Sequence, residues 1–119
     1  MTVRPEELAA ALAARRRAAG DEHRRRATEL RRLLTTELEK AARAGRLGRG
    51  WVIGSLARGD FGAGSDVDVV VEGLPAGEVG GLWGQLTERL GAHVDLLRLE
   101  ELPESFRQRV LEEGVRLVG

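Results

Sequence analysis

The chain has 119 residues and no cysteine, a length that supports one domain around a single core and a composition that excludes both a disulfide framework and a Cys-ligated zinc site. Its net charge is zero, but residues 1–50 hold twelve Arg and Lys40 against seven acids, a balance of +6, while residues 51–119 hold six Arg against twelve acids, a balance of −6. No apolar run approaches the roughly twenty residues of a membrane span, and Met1 to Ala19 carries acids and arginines in place of a signal-peptide core, so the expectation is a cytoplasmic protein with no membrane association.

From Pro5 to Ala44 the chain is rich in Ala, Leu, Arg and Glu, all good helix formers, and Pro5 suits a first helical turn. Gly20-Asp21 can end one helix and cap the next, which predicts either two helices or one long helix weakened there. Leu30, Leu33, Leu34, Leu38 and Ala41 recur at intervals of three and four and give the second segment an apolar stripe. After Gly45, Gly48 and Gly50, Trp51-Val52-Ile53 is a short buried strand running into Gly54-Ser55. Asp66 to Glu72 is a second strand, Glu78 to Leu90 a helix packed on the sheet, and His93 to Leu99 a third strand. Pro103 starts a last helix with Phe106, Val110 and Leu111 inward, Gly114 ends it, and Val115 to Val118 adds an edge strand. Trp51 and Trp83 are expected to pack the sheet against its helices.

Ten residues separate Gly54-Ser55 from Asp66-Val67-Asp68, and this arrangement carries the chemistry. Residues two apart on a strand share a face, so Asp66 and Asp68 project together while Val67, Val69 and Val71 point into the opposite layer. Two close carboxylates repel unless a cation neutralises them, and hard oxygen ligands favour magnesium, which gains further ligands from substrate phosphates. Asp95, in the third strand, joins the pair if that strand lies beside the second. Three carboxylates around two cations support in-line displacement at phosphorus, with Asp95 placed to bind a metal or to take a proton from the attacking hydroxyl. Gly54 lets backbone approach a phosphate, Ser55 offers a hydroxyl at a helix start, and Arg58, one turn along, can offset triphosphate charge. Ser65, beside the first aspartate, completes the nucleotide-binding candidates. His93 shares a strand face with Asp95 and could approach the metal, although a surface or structural histidine is its ordinary reading. With so few aromatics, base-stacking recognition of single-stranded nucleic acid is not expected.

The run W-V-I-G-S-L-A-R-G-D-F-G-A-G-S-D-V-D-V-V-V-E, with the later H-V-D-L-L and L-E-E-G-V-R-L, resembles the minimal nucleotidyltransferases of the DNA polymerase beta superfamily over roughly residues 47–119. The resemblance implies an α/β (α+β) nucleotidyltransferase fold: a small mixed sheet with helices packed on one side, preceded by an Arg-rich helical N-terminus. One domain, 1–119, is then expected, with residues 1–44 an extension and 47–119 the catalytic core. The resemblance further implies that Gly54 and Ser55 hold the triphosphate of ATP and that Asp66, Asp68 and Asp95 hold Mg2+. Many such proteins are antitoxins paired with a HEPN-type toxin, which implies transfer of AMP to a partner tyrosine; the chain has no tyrosine of its own. Transfer to a small hydroxylated molecule, and neutralisation of a partner by binding alone, are the other two readings. The basic N-terminal helices are the candidate surface for a partner or for oligomerisation.

Overall fold

The computed structural model describes residues 3–119. Helix α1 (Pro5–Arg43) is followed by strand β1 (Arg49–Ile53), the short helix α2 (Gly54–Arg58), β2 (Val67–Glu72), α3 (Val79–Leu90), β3 (Val94–Arg98), α4 (Glu104–Glu113) and β4 (Val115–Val118). The four strands form one mixed sheet in the order β3-β2-β1-β4. β1 pairs antiparallel with both β2 and β4, and β2 pairs parallel with β3 through the α3 crossover.

α1 runs unbroken for 39 residues through Gly20-Asp21, the longer of the two expected arrangements. A single glycine in a helix interior costs only about 1 kcal/mol, and Asp21–Arg24, Glu29–Arg32 and Glu37–Lys40 pairs one turn apart support the helix. Glu6 and Glu7 at its start and Lys40 and Arg43 at its end also match the helix dipole. Only its second half meets the sheet. Leu30, Leu34, Leu38 and Ala41 are buried there, whereas Leu8 and Leu12 are exposed. The first half therefore projects as an arm, and the radius of gyration is 18.1 Å, against about 13.5 Å for a compact chain of this length.

The larger apolar core lies between the sheet and α1 and α3. Val52, Val67, Val69, Val71 and Val94 from the strands meet Leu30, Leu34 and Leu38 from α1 and Leu82, Leu86 and Leu90 from α3. The alternation of β2 sends Val70 to the opposite face, where it packs with Trp51, Leu99 and Val110 of α4. The two long helices thus share one side of the sheet, and the short α4 covers part of the other. Two expected inward residues turn outward: Leu111 on α4 is 49% exposed and Trp83 on α3 is 44% exposed. Phe106 and Val110, four residues apart on one face of α4, pack toward the sheet, and Leu111, about 100° further round the helix, falls outside that face. Trp83 lays its ring at the edge of β3 and its Nε1 donates to the Val94 carbonyl at 2.8 Å, so the polar atom is satisfied without burial.

Candidate active site

The end of β1 and the start of β2 meet at Ile53 and Asp68, which are register partners. The chain leaves β1 through Gly54 with φ +71°, a conformation that side-chain-bearing residues rarely adopt. A Cβ on Gly54 would lie 2.5 Å from Asp68 Oδ2, so the glycine leaves the space into which this carboxylate folds. Ser55 is the second residue of α2, and its carbonyl accepts hydrogen bonds from the Gly59 and Asp60 amides at 2.9 and 3.1 Å, which end the helix after five residues. Arg58, the last residue of α2, places Nε 3.4 Å from Asp60 Oδ2. Ser65 closes the glycine-rich loop: its Oγ accepts from the Gly62 amide at 3.1 Å and its own amide donates to the Gly62 carbonyl at 3.0 Å.

On the β3 side, parallel pairing sets Asp95 directly opposite Asp68. Asp66 stands just before β2, where the Val67 amide bonds to the His93 carbonyl at 2.9 Å. The same alignment brings Asp66 Oδ1 to 3.2 Å from His93 Nδ1. Asp66, His93 and Asp95 each offer a ligand atom, and these atoms lie within 4.8 Å of one another. Asp68, half-buried beside Gly54, is coupled to the same group. Partial burial, then the charge of Asp95, a hydrogen bond to it and the charge of Asp66 push its carboxyl above the usual 3.8, and Arg58 only partly offsets them. A set of three carboxylates and an imidazole whose members repel in the absence of a cation fits a divalent metal: the oxygens suit magnesium, and the imidazole nitrogen also suits manganese.

The structure thus brings Gly54, Asp66, Asp68 and Asp95 together, sets Arg58 close enough to act on Asp68, and leaves Ser65 organising the loop between them. His93 belongs to the cluster more closely than its sequence context indicates. Its position two residues before Asp95 on an exposed strand face was the available signal, but only the β2/β3 register turns that position toward Asp66. A cleft of about 220 Å³ opens beside Gly54, between α2 and α4, with Phe106 and Arg109 in its wall. Neither residue carries a sequence motif, because they reach the site only through the packing of α4 on the second face of the sheet.

The model of the polymerase beta nucleotidyltransferase family matches residues 29–119. That match begins inside α1, just before its buried stripe, and leaves the projecting arm outside. Among solved structures, a candidate minimal nucleotidyltransferase is 30% identical with a TM-score of 0.64, over 75% of this chain and 93% of its own. A toxin–antitoxin structure with AMP-PNP is 26% identical with a TM-score of 0.62, over 71% of this chain and 73% of its own. A Shewanella oneidensis complex of a tri-AMPylated HEPN toxin with an MNT antitoxin is 23% identical with a TM-score of 0.56, over 75% and 72% of the two chains, a likeness of fold. A sequence search of curated proteins finds no match. Strand order, the Gly54-to-Asp68 geometry and the family match agree, and the chain belongs to the polymerase beta nucleotidyltransferase family.

Proposed function

We propose that this protein transfers AMP from ATP, with magnesium, to a hydroxyl of a HEPN-type partner toxin, and that it acts as that toxin's antitoxin. The observation that carries the reading is the register pairing of Asp68 with Asp95 beside Gly54, with Asp66 completing the carboxylate group. Similarity to chains from toxin–antitoxin complexes, one of them with AMP-PNP and one with an AMPylated HEPN toxin, supports the choice of donor and partner. The chain contains no tyrosine, so a tyrosine acceptor must come from the partner. The whole chain, 1–119, works as one domain in this reading, with residues 47–119 bearing the chemistry and α1 the partner surface. A cytoplasmic location fits a nucleotide-dependent reaction of this kind.

Asp66, Asp68 and Asp95 would hold the metal, with His93 within reach as a fourth ligand. When bound, magnesium supplies charge neutralisation at the phosphates and lowers the pKa of the attacking hydroxyl. Gly54 and Ser55 bring backbone close to the triphosphate, and Arg58 offsets its charge from the end of α2. Asp95, on the exposed edge strand, accepts the proton as the hydroxyl oxygen bonds to the α-phosphorus and pyrophosphate departs.

The deciding experiment is intact-mass measurement of the partner toxin after incubation with this protein, magnesium and each nucleotide in turn. Addition of AMP to a partner tyrosine, lost when Asp66 and Asp68 are both replaced by Asn, is the expected result. Neutralisation of the toxin with its mass unchanged, equally by wild type and the double variant, would mean that binding alone is the function. Absence of any modified partner, with AMP transferred to a small hydroxylated molecule instead, would place the acceptor elsewhere.

A further inference from the structure

We infer that the cleft between α2 and α4 is the seat of the nucleotide base, and that Phe106, with Arg109 and Glu113 beside it, selects a purine carrying an exocyclic amine. The inference rests on the reading of this protein as a nucleotide-dependent transferase and specifies where the donor's recognition resides.

Four features support it. The cleft is continuous with the carboxylate group, since Gly54 borders both and Ile53, which lines the cleft, is the register partner of Asp68. Its volume of about 220 Å³ falls below the roughly 300–1,000 Å³ of pockets that enclose whole drug-sized ligands, which suits a single heterocycle with its sugar and phosphates lying outside. The wall is apolar where a ring would lie: the partly exposed Ile53, Ala57 and Phe106 contribute, with Val110 buried behind them in the core that holds Trp51. The polar lining differs in sign around the cleft. Arg109 offers a planar guanidinium group from α4, of the kind that stacks on base faces, while Arg58 on α2 faces the phosphate side. Glu113 offers only acceptor oxygens when ionised, which complement an amine such as that of adenine and oppose the keto group of uracil.

The cleft is built by Gly114. A Cβ there would stand 2.5 Å from the Val110 carbonyl oxygen and 3.2 Å from Ile53 Cγ2, so the absence of a side chain lets the end of α4 close onto β1. The three clefts along α1 do not reach Gly54; polar and charged residues of α1 and, in two of them, the glycine-rich loop contribute to their walls.

The test uses calorimetric titration of the full chain, with magnesium, by two probes: AMP-PNP and inorganic tripolyphosphate. Phe106→Ala and Ala57→Leu, each verified as folded by its thermal transition, should weaken AMP-PNP roughly tenfold or more, since base stacking on an aromatic ring carries that scale of affinity, and leave tripolyphosphate unchanged. A measurement on the unmodified protein stands beside them: contacts by nuclear Overhauser effect between the adenine protons of bound AMP-PNP and the Ala57 methyl group or the Phe106 ring. Unaltered AMP-PNP affinity in both variants, or bound AMP-PNP without contacts to Ala57 or Phe106, would overturn the base seat and leave the transferase reading intact. Failure of the wild type to bind either probe would remove the transferase reading and this inference with it.

Discussion

Gly54 and Asp68 share one volume: the Oδ2 atom of the aspartate stands 2.5 Å from where a Cβ on the glycine would be. The turn that leaves β1 and the carboxylate near the start of β2 are therefore a single construction, although they stand fourteen positions apart in sequence. The positive φ of Gly54 and the proximity of Asp68 impose the same requirement from two directions.

Gly54→Ala meets both constraints at once. The left-handed backbone alone costs an alanine roughly 1–2 kcal/mol, which lowers Tm by about 4–10 °C in a domain of this size. The methyl group also displaces Asp68, and a misplacement of about 1 Å at a reacting centre costs about a hundredfold in rate. Thermal denaturation and the partner-mass assay check the two effects separately, and a variant with wild-type rates would show that Asp68 does not need its present position.

Asp68 gives a pH signature in metal-free protein. Its folded pKa lies above the ordinary 3.8 through burial, Asp95 and Asp66, so the fold holds the proton more tightly than the unfolded chain does. The sign follows: stability falls as pH rises from 3.8 through the raised folded value, and the full penalty is present at neutral pH. Asp68→Asn, which stays uncharged, should then melt on the order of a few degrees above wild type at pH 7 in EDTA, with the gap closing below pH 3.8. Magnesium should raise the wild-type Tm and have little effect on the variant. Equal melting of the two proteins at pH 7 in EDTA would contradict the electrostatic account.

Gly114→Ala tests how α4 is seated. The new methyl group would press on the Val110 carbonyl, a backbone atom that cannot rotate away, and on Ile53. Forced separation of packed elements costs typically 1–3 kcal/mol, and calorimetry should register a loss of that order together with weaker AMP-PNP binding. Retention of full stability would mean that the contact relaxes freely.

Removal of residues 1–22 tests the projecting arm. Leu30 is the first fully buried residue of α1, and Arg26 bonds to the Leu90 and Gly91 carbonyls, so the shortened chain keeps every core contact. Its Tm should lie within about 2 °C of the full chain, as for other surface changes, and AMP-PNP should bind as before. Partner affinity should fall roughly tenfold or more if the arm carries anchoring contacts. An unchanged affinity in a pull-down titration would assign the partner surface to the core instead.

The element types were legible in the sequence because each has a local cause. The valine alternation of β2, the three-and-four spacing of α3, Pro103 before α4 and Gly114 after it all act within a few residues. The family was legible for the same reason, since Gly54-Ser55 and Asp66-Val67-Asp68 lie in one short run. Helix continuity through Gly20-Asp21 was less so, because a capping signal competes with the long Ala- and Arg-rich background that overrides it.

Residue type and spacing are local quantities, and from them the strands, the helical segments and the carboxylate candidates with the chemistry they suit could be read. Only the tertiary structure decided which of them meet. The parallel register of β2 and β3 sets Asp95 against Asp68 and His93 against Asp66, and the seating of α4 on Trp51 and Ile53 turns Phe106 and Arg109 toward Gly54. Those contacts join residues as many as sixty positions apart, and strand register and helix packing are set by burial of the whole apolar surface, which no short stretch of sequence contains.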